Sequence, residues 1–588
     1  MRMRLALVLL LLTSSILAAD PSASNLDKRR KALADVIEEQ WQYSLKTAPE
    51  YASILGDKRY NDQSSDLSAA EQKREDEQNR VFLRRLNAIE TGGFSDQEKI
   101  NKALLVRNLS DAIDNYQGRN YEMPVNQMGG VHLFAAQLPS MISFATAKDY
   151  DDYIQRMRNF PRQTDQLIEV MRAGMRDKLM PPKFLLTKVA DQAMSLTEGA
   201  ADQSAFAVPL QKLPASLSET ERARIRAAYL DAINNSVFPS YKKFAAFVRE
   251  EYAPAGRSEA GVWSLPDGAA RYARAVRQGT TTNLTPEEIH QIGLREVTRV
   301  EGEMLAIAKK LGFNDLKSFN AAVQDKPELR AKSPDDILRI YRGYIEQMYA
   351  KLPQLFGRLP KARLEVVPVE PFREKEAASA NYDSPSPDGS RPGRVYVNTY
   401  DATSRKIIFM ESTAYHEGVP GHHMQVAIAQ ELPDIPEFRR QGNYNAFAEG
   451  WALYSERLGK EVGFYQNPYV DYGRLNDEML RAIRLVVDTG LHYKKWTREQ
   501  VVQFFHDHSA TDEVEVQSET DRYIVWPGQA LGYKIGQLKI LELRERAKKA
   551  LGDRFDIREF HDEVIGAGAL PLDVLEQRIN DWIKSKNK

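Results

Sequence analysis

Thr285-Pro286-Glu287-Glu288, followed by Ile289, Ile292, Val300, Met304 and Ile307, is the stretch that sets the fold class. The threonine offers an N-cap, and the proline suits a first helical turn, where its missing N–H has no intrahelical partner to lose. Glu288 stands at the third helical position, from which a carboxylate reaches back to the cap. The apolar residues then recur at helical spacing. Ser333-Pro334-Asp335-Asp336 before Ile337, Tyr341, Tyr344, Ile345 and Met348 repeats the device. Charged amphipathic stretches over 26–85, 189–198 and 220–251 read as more helices, while strand signals are confined chiefly to 364–369 and 395–399. The spacing therefore predicts a mainly α fold.

The 588 residues contain no long low-complexity linker and no repeat period, which favours one large body. Its 81 Lys and Arg nearly cancel its 82 Asp and Glu, so there is no whole-chain field for nucleic acid or an acidic membrane. Met1-Arg2-Met3-Arg4, a leucine-rich run and Ala18-Ala19 read as a signal peptide over 1–19, which predicts an exported product, periplasmic or secreted. No later stretch is long and uncharged enough to span a membrane. With no cysteine, disulfides, thiolate ligands and a lipid-modified cysteine are not expected, and any metal must use histidine and carboxylate.

Three of the nine histidines fall in Tyr415-His416-Glu417-Gly418-Val419-Pro420-Gly421-His422-His423-Met424-Gln425. A hydrolytic zinc site uses neutral imidazoles, usually a carboxylate, and an open position, with a glutamate beside the first histidine to take a proton from water. In an HExxH helix the second histidine comes at i+4. Here Pro420 occupies that place. If Gly418, Pro420 and Gly421 let the helix absorb two extra residues as a bulge or break, His422 at i+6 replaces it. His416 and His422 are the expected ligands for one Zn2+ and Glu417 the expected base. His423 is the competing ligand or lines the same site.

Downstream, Phe447, Trp451, Tyr454 and Leu458 form one stripe of a predicted helix, and Glu449 and Glu456 share the opposite face. That face looks either into solvent, the usual fate of a glutamate, or into a wet cleft; because zinc sites with two histidines take their third ligand as a glutamate from the next helix, Glu449 is the expected third ligand. Glu456 is either a partner that orients a ligand imidazole or a surface ion-pairing residue.

These segments resemble the bacterial domain of unknown function 885 family, itself similar to zinc metallopeptidases of the HExxH superfamily. The resemblance also covers Arg391-Pro392-Gly393, Tyr396-Val397-Asn398, Asp488-Thr489-Gly490-Leu491-His492, Arg522-Tyr523 and Trp526 to Gly536. It implies a two-lobed, helical, peptidase-like body with a central cleft and a small β element beside the metal. The expected division is 20–300 for an N-terminal helical lobe and 301–588 for the metal-site lobe. Helical zinc peptidases stabilise the developing oxyanion with a tyrosine, often aided by a histidine, from segments after the third ligand. Tyr533, in Gly532-Tyr533-Lys534-Ile535-Gly536, is similar to the Tyr-x-x-Gly of the carboxypeptidase group, and Tyr523 and His492 are further candidates.

Residues 393–399 alternate like a short exposed edge strand, able to pair with an extended peptide. Asn398, with Tyr396 before it, is expected to bind substrate backbone or else to belong to a hairpin covering the helix. Residues 383–390 are rich in Pro, Ser and Gly and predict a flap. His132, His290, His506, His508 and His561 receive no role. The expected function is an exported zinc-dependent peptidase for short peptides. The alternatives are a zinc hydrolase of a non-peptide amide or ester, and a non-catalytic helical binding protein with a degenerate site.

Overall fold

A computed structural model describes residues 21–324, 326–369, 374, 377–385 and 391–587. The expected signal segment and residues 386–390 of the expected flap lie outside the described residues. Among the described residues the fold is mainly helical with one three-stranded sheet.

The predicted helix starts are built as their chemistry requires. Thr285 and Glu288 form a reciprocal capping box at the start of Pro286–Lys310, and Ser333 Oγ accepts the Asp336 amide at the start of Pro334–Tyr349. Ile289, Val300 and Met304 face inward from the first and Ile337, Tyr341 and Met348 from the second. Pro286–Lys310 packs along Pro468–His492, a 25-residue helix buried over most of its length. Leu531–Leu551 joins them through Lys534, fully buried with its ammonium 2.6 Å from Glu478 and 2.9 Å from Glu296. Partners on both sides offset the desolvation of that charge.

Glycine sets the approach of the helices behind the site. A Cβ on Gly450 of Asn445–Glu461 would lie 2.4 Å from the Cα of Gly536 on Leu531–Leu551, and one on Gly536 would lie 1.8 Å from the Ala446 carbonyl oxygen. The two helices therefore touch backbone to backbone. Gly536, expected as part of a Tyr-x-x-Gly signature, is needed for this crossing.

The largest core joins Leu33, Phe82 and Leu109 to residues as distant as Trp451 and Ile579, while a second, from Val125 to Ala253, closes on itself. The expected division at 300/301 falls inside the continuous helix Pro286–Lys310. No described helix is long and apolar enough to cross a membrane.

The sheet consists of β1 (Leu364–Pro368), β2 (Ala380–Asp383) and β3 (Gly393–Val397) in the order β1-β3-β2. β3 pairs parallel with β1 and antiparallel with β2, with Val395 opposite Val366 and Tyr382. The expectation of an exposed edge strand at 393–399 is thus corrected: β3 is central, with Gly393, Val395 and Val397 buried. The edge strand toward the site is β2, whose Ala-Asn-Tyr-Asp sequence has too little apolar alternation to announce it. β2 lies against the helix Met410–Glu417.

Candidate metal centre

The helix Met410–Glu417 ends at Gly418, and a second, His422–Gln430, begins four residues later. Gly421 makes the reversal possible. A Cβ there would stand 2.0 Å from the His416 carbonyl oxygen and 2.3 Å from that of Tyr415. Only glycine allows this approach, which folds the second helix back so that His422 returns to the level of His416. The indole N–H of Trp451 donates to the Pro420 carbonyl at 2.9 Å, and Ser455 Oγ donates to that of Tyr415 at 3.3 Å. The break is thereby clamped to the helix Asn445–Glu461.

Three side chains converge as a result. Nε2 of His416 and Nε2 of His422 each lie 3.5 Å from the same oxygen, Oε2 of Glu449. The two imidazoles are nearly perpendicular, with centroids 4.9 Å apart. A distance of 3.5 Å is long for an N–H···O hydrogen bond. It is what two ligands of one ion show, since donors at about 2.1 Å around a tetrahedral centre stand about 3.4 Å apart. Two imidazoles and a carboxylate form a donor set suited to zinc.

A ligand atom of Glu417 also falls within 4.8 Å of those of His416 and His422. The two carboxylates differ in electrostatics. Burial works against ionised Glu449, but the flanking imidazoles overcome it and hold the group well below the usual carboxylate range. Burial raises Glu417, against the pull of His416 and His422. A firmly ionised group suits a ligand and a raised one suits proton exchange, so Glu449 fits the first role and Glu417 the second.

The orientation of His416 is fixed from behind. Its Nδ1 lies 2.7 Å from Oε1 of Glu456, which is 2% exposed, leaving Nε2 for the centre. Burial opposes an imidazolium there, yet Glu449 and Glu456 outweigh it and push His416 up to about 10. The site is thus built for a positive charge. His423 faces the sheet instead: Nδ1 meets the Tyr382 hydroxyl at 3.1 Å and Nε2 meets the Ala362 carbonyl at 3.2 Å. With both nitrogens engaged it has no lone pair for the centre, and burial lowers it to about 4.

The remaining expected site residues divide. Tyr533 packs against Arg481, whose guanidinium carbon lies 6.0 Å from its ring centroid; its hydroxyl accepts from Arg522 Nη2 at 3.2 Å, and its own proton has no acceptor among the described residues. Tyr523 is 1% exposed and committed, donating to Glu519 at 2.5 Å and accepting from Arg484 at 3.1 Å. His492 is committed as well. Its Nδ1 accepts the Val262 amide at 3.1 Å, Nε2 donates to the Tyr523 carbonyl at 2.9 Å, and burial lowers it to about 3. Both serve the scaffold rather than the site.

Asn398 is likewise corrected, because its amide donates to the carbonyls of Glu374 and Ala377 at 2.6 and 2.8 Å and its oxygen accepts the Tyr400 amide at 3.0 Å. It holds a loop, with both amide hydrogens spent within the fold. Tyr396 sits on the half-buried face of β3, opposite the inward face of Val395.

Arg481 and Asp477 escaped the sequence reading. Asp477 accepts from Ser412 Oγ at 2.5 Å, and Arg481 exerts its charge on Glu417 and Glu456. Their only cue was the i, i+4 spacing of an acid and a base on one helix. Two cavities of about 240 Å³ lie elsewhere, one lined by Phe134, Tyr153 and Phe206 and the other by Pro182, Arg257 and Pro527, and neither includes a residue of the cluster.

No curated protein matches the chain. Among solved structures, a candidate lipoprotein from Colwellia psychrerythraea is 31% identical, with a TM-score of 0.90 over 95% of this chain and 100% of that one. A candidate lipoprotein of unknown function from Shewanella oneidensis is 19% identical, with a TM-score of 0.71 over 93% of this chain and 99% of that one, and shares the fold. The family model of the bacterial proteins of unknown function called DUF885 matches residues 49–579, and the chain belongs to that family.

Proposed function

We propose that the protein is an exported zinc-dependent peptidase that hydrolyses short peptides. The observation that carries this reading is the equal 3.5 Å separation of the His416 and His422 Nε2 atoms from one oxygen of Glu449, with Glu417 in the same cluster. His416, His422 and Glu449 would hold the ion, which when bound supplies a Lewis acid that polarises a carbonyl and acidifies water.

The chain's own groups supply the rest. Glu417 accepts a proton from the attacking water as the oxygen–carbon bond forms, and returns it to the amine nitrogen as the carbon–nitrogen bond breaks. The products are one carboxylate and one amine. Tyr533, with its O–H proton free, donates to the carbonyl oxygen as that oxygen gains negative charge. Glu456 keeps the His416 Nε2 lone pair aimed at the centre. The outer edge of β2 is unpaired among the described strands, which suits it to hydrogen-bond an extended substrate backbone irrespective of side chain. Export is supported by the basic, then apolar, then small-residue character of 1–19 and by the candidate-lipoprotein description of the Colwellia relative.

The test is hydrolysis of a mixed library of short peptides by the zinc-loaded protein and by Glu417→Gln. Cleavage by the first, with a loss of at least about 100-fold in the second at unchanged zinc content, is expected for a general base. No cleavage by a zinc-loaded wild-type protein would turn the assignment toward a non-peptide amide or ester.

A further inference from the structure

The wall beside the centre carries cationic groups that the fold does not fully use. Arg481 and Arg484, three residues apart on one face of Pro468–His492, and Arg522 from Glu513–Val525 all pack around Tyr533. The guanidinium carbons of Arg481 and Arg484 lie 6.0 and 4.6 Å from the Tyr533 ring centroid, and Arg522 reaches its hydroxyl. Arg484 and Arg522 share a single carboxylate, Glu519, at 2.8 and 3.1 Å. Arg481 is paired far less well. Its Nη1 takes the carbonyl of Asp477 at 3.1 Å, in its own helix, and stands 3.5 Å from the Asp477 carboxylate.

Among the described residues, Arg481 Nε, Arg484 Nη1 and Arg522 Nε have no hydrogen-bond partner, and Arg484 is 4% exposed. What sets these three nitrogens apart is that they gather around one ring, where they leave donors for an acceptor that arrives from outside. Glu515, exposed on the same helix as Arg522, also faces the group but forms no ion pair among the described residues. Of the bordering carboxylates, Glu519 is held firmly ionised, near 2, by Arg484 and Arg522, while burial pushes Asp477 up to about 6.

The position of the cluster identifies the acceptor. Arg481 holds Asp477, whose carboxylate accepts from Ser412 one turn before His416 on Met410–Glu417, so the cluster adjoins the helix that carries His416 and Glu417. A peptide whose scissile bond lies over His416, His422 and Glu449 places its next residues against this wall. A planar fork of donors matches a carboxylate better than any other group a peptide carries. Resting on the peptidase reading above, we propose that Arg481, backed by Arg484 and Arg522, binds the free C-terminal carboxylate of the substrate, so that the enzyme acts at the carboxyl end of short peptides.

The probes are tetra-alanine with a free C-terminal carboxylate and the same peptide as its C-terminal amide. Calorimetry on the zinc-loaded Glu417→Gln protein measures binding, and wild-type protein measures kcat and KM. The acid is expected to bind and react at least about 10-fold better than the amide, as fits one charge-assisted pair. Arg481→Met is expected to erase that preference by raising KM for the acid alone. Arg481→Lys restores part of it, and zinc content and circular dichroism report whether either variant folds. Equal binding and cleavage of acid and amide by wild type would overturn the carboxylate subsite while leaving the peptidase reading standing. Binding and cleavage of neither peptide would overturn both.

Discussion

Gly421 lies so close to His416 that a side-chain carbon on it would sit 2.0 Å from the His416 carbonyl oxygen. The contact converts an interrupted HExxH segment into a pair of short helices whose histidines meet. Gly421→Ala must push the second helix away, moving His422 off the line to Glu449. A loss of zinc affinity on the order of 100-fold is expected, as for changes that misplace a ligand. Competition against a chelator of known affinity measures it, and an unchanged affinity would remove Gly421 from the account.

Among the described residues, Glu456 meets the centre through His416. Its Oε1 holds Nδ1 at 2.7 Å, and both side chains are buried. Glu456→Gln keeps the shape and removes the charge. Zinc affinity should fall by roughly 10- to 100-fold with the fold intact. A variant that binds zinc normally but melts early would assign Glu456 to stability instead.

Tyr533 and Tyr523 are neighbours in sequence with opposite expected behaviour. Tyr533→Phe removes a proton that no described residue uses, so kcat should fall by roughly 100-fold with little change in KM or melting temperature. Tyr523→Phe breaks a buried pair with Glu519 and Arg484, so it should lower stability by about 1–3 kcal/mol. Steady-state kinetics and denaturant titration on the two variants separate these outcomes.

Acid should weaken the fold through His561. Its Nδ1 meets the Leu355 carbonyl and its Nε2 the Tyr454 hydroxyl, each at 2.8 Å, and burial lowers it from 6.5 to about 3. The folded state then binds fewer protons than the unfolded chain between those values. Its contribution is complete above pH 6.5 and is lost as pH falls toward 3. His561→Gln should therefore melt lower than wild type at pH 7.5, with a deficit that narrows by pH 4.5. A deficit that stays constant or widens in acid contradicts the assignment.

Local chemistry was the most legible part of the sequence. Thr285 with Glu288 and Ser333 with Asp336 act within one turn, so their helix starts can be read without knowing the fold. The grouping of His416, His422 and Glu449 followed from ligand chemistry and helical spacing, with the glycines of the break as the remaining clue. Readings that depended on distant partners failed. Nothing near His492 in sequence reveals that Val262 and the Tyr523 carbonyl occupy both its nitrogens, and nothing near Asn398 reveals Glu374 and Ala377. β3 looked like an edge because its partner β2 is short and polar. Arg481 was one cation among 81, and only the packing around Tyr533 distinguishes it.

The central claim is that His416, His422 and Glu449 share one ion despite the proline between the histidines. Metal analysis of purified protein, by elemental mass spectrometry after dialysis against zinc, tests this directly. One zinc per chain is expected in wild type, Glu417→Gln and His423→Ala, and none in His422→Ala or Glu449→Ala. Zinc that survives His422→Ala and disappears in His423→Ala, or a wild-type protein that retains no metal, would contradict the account.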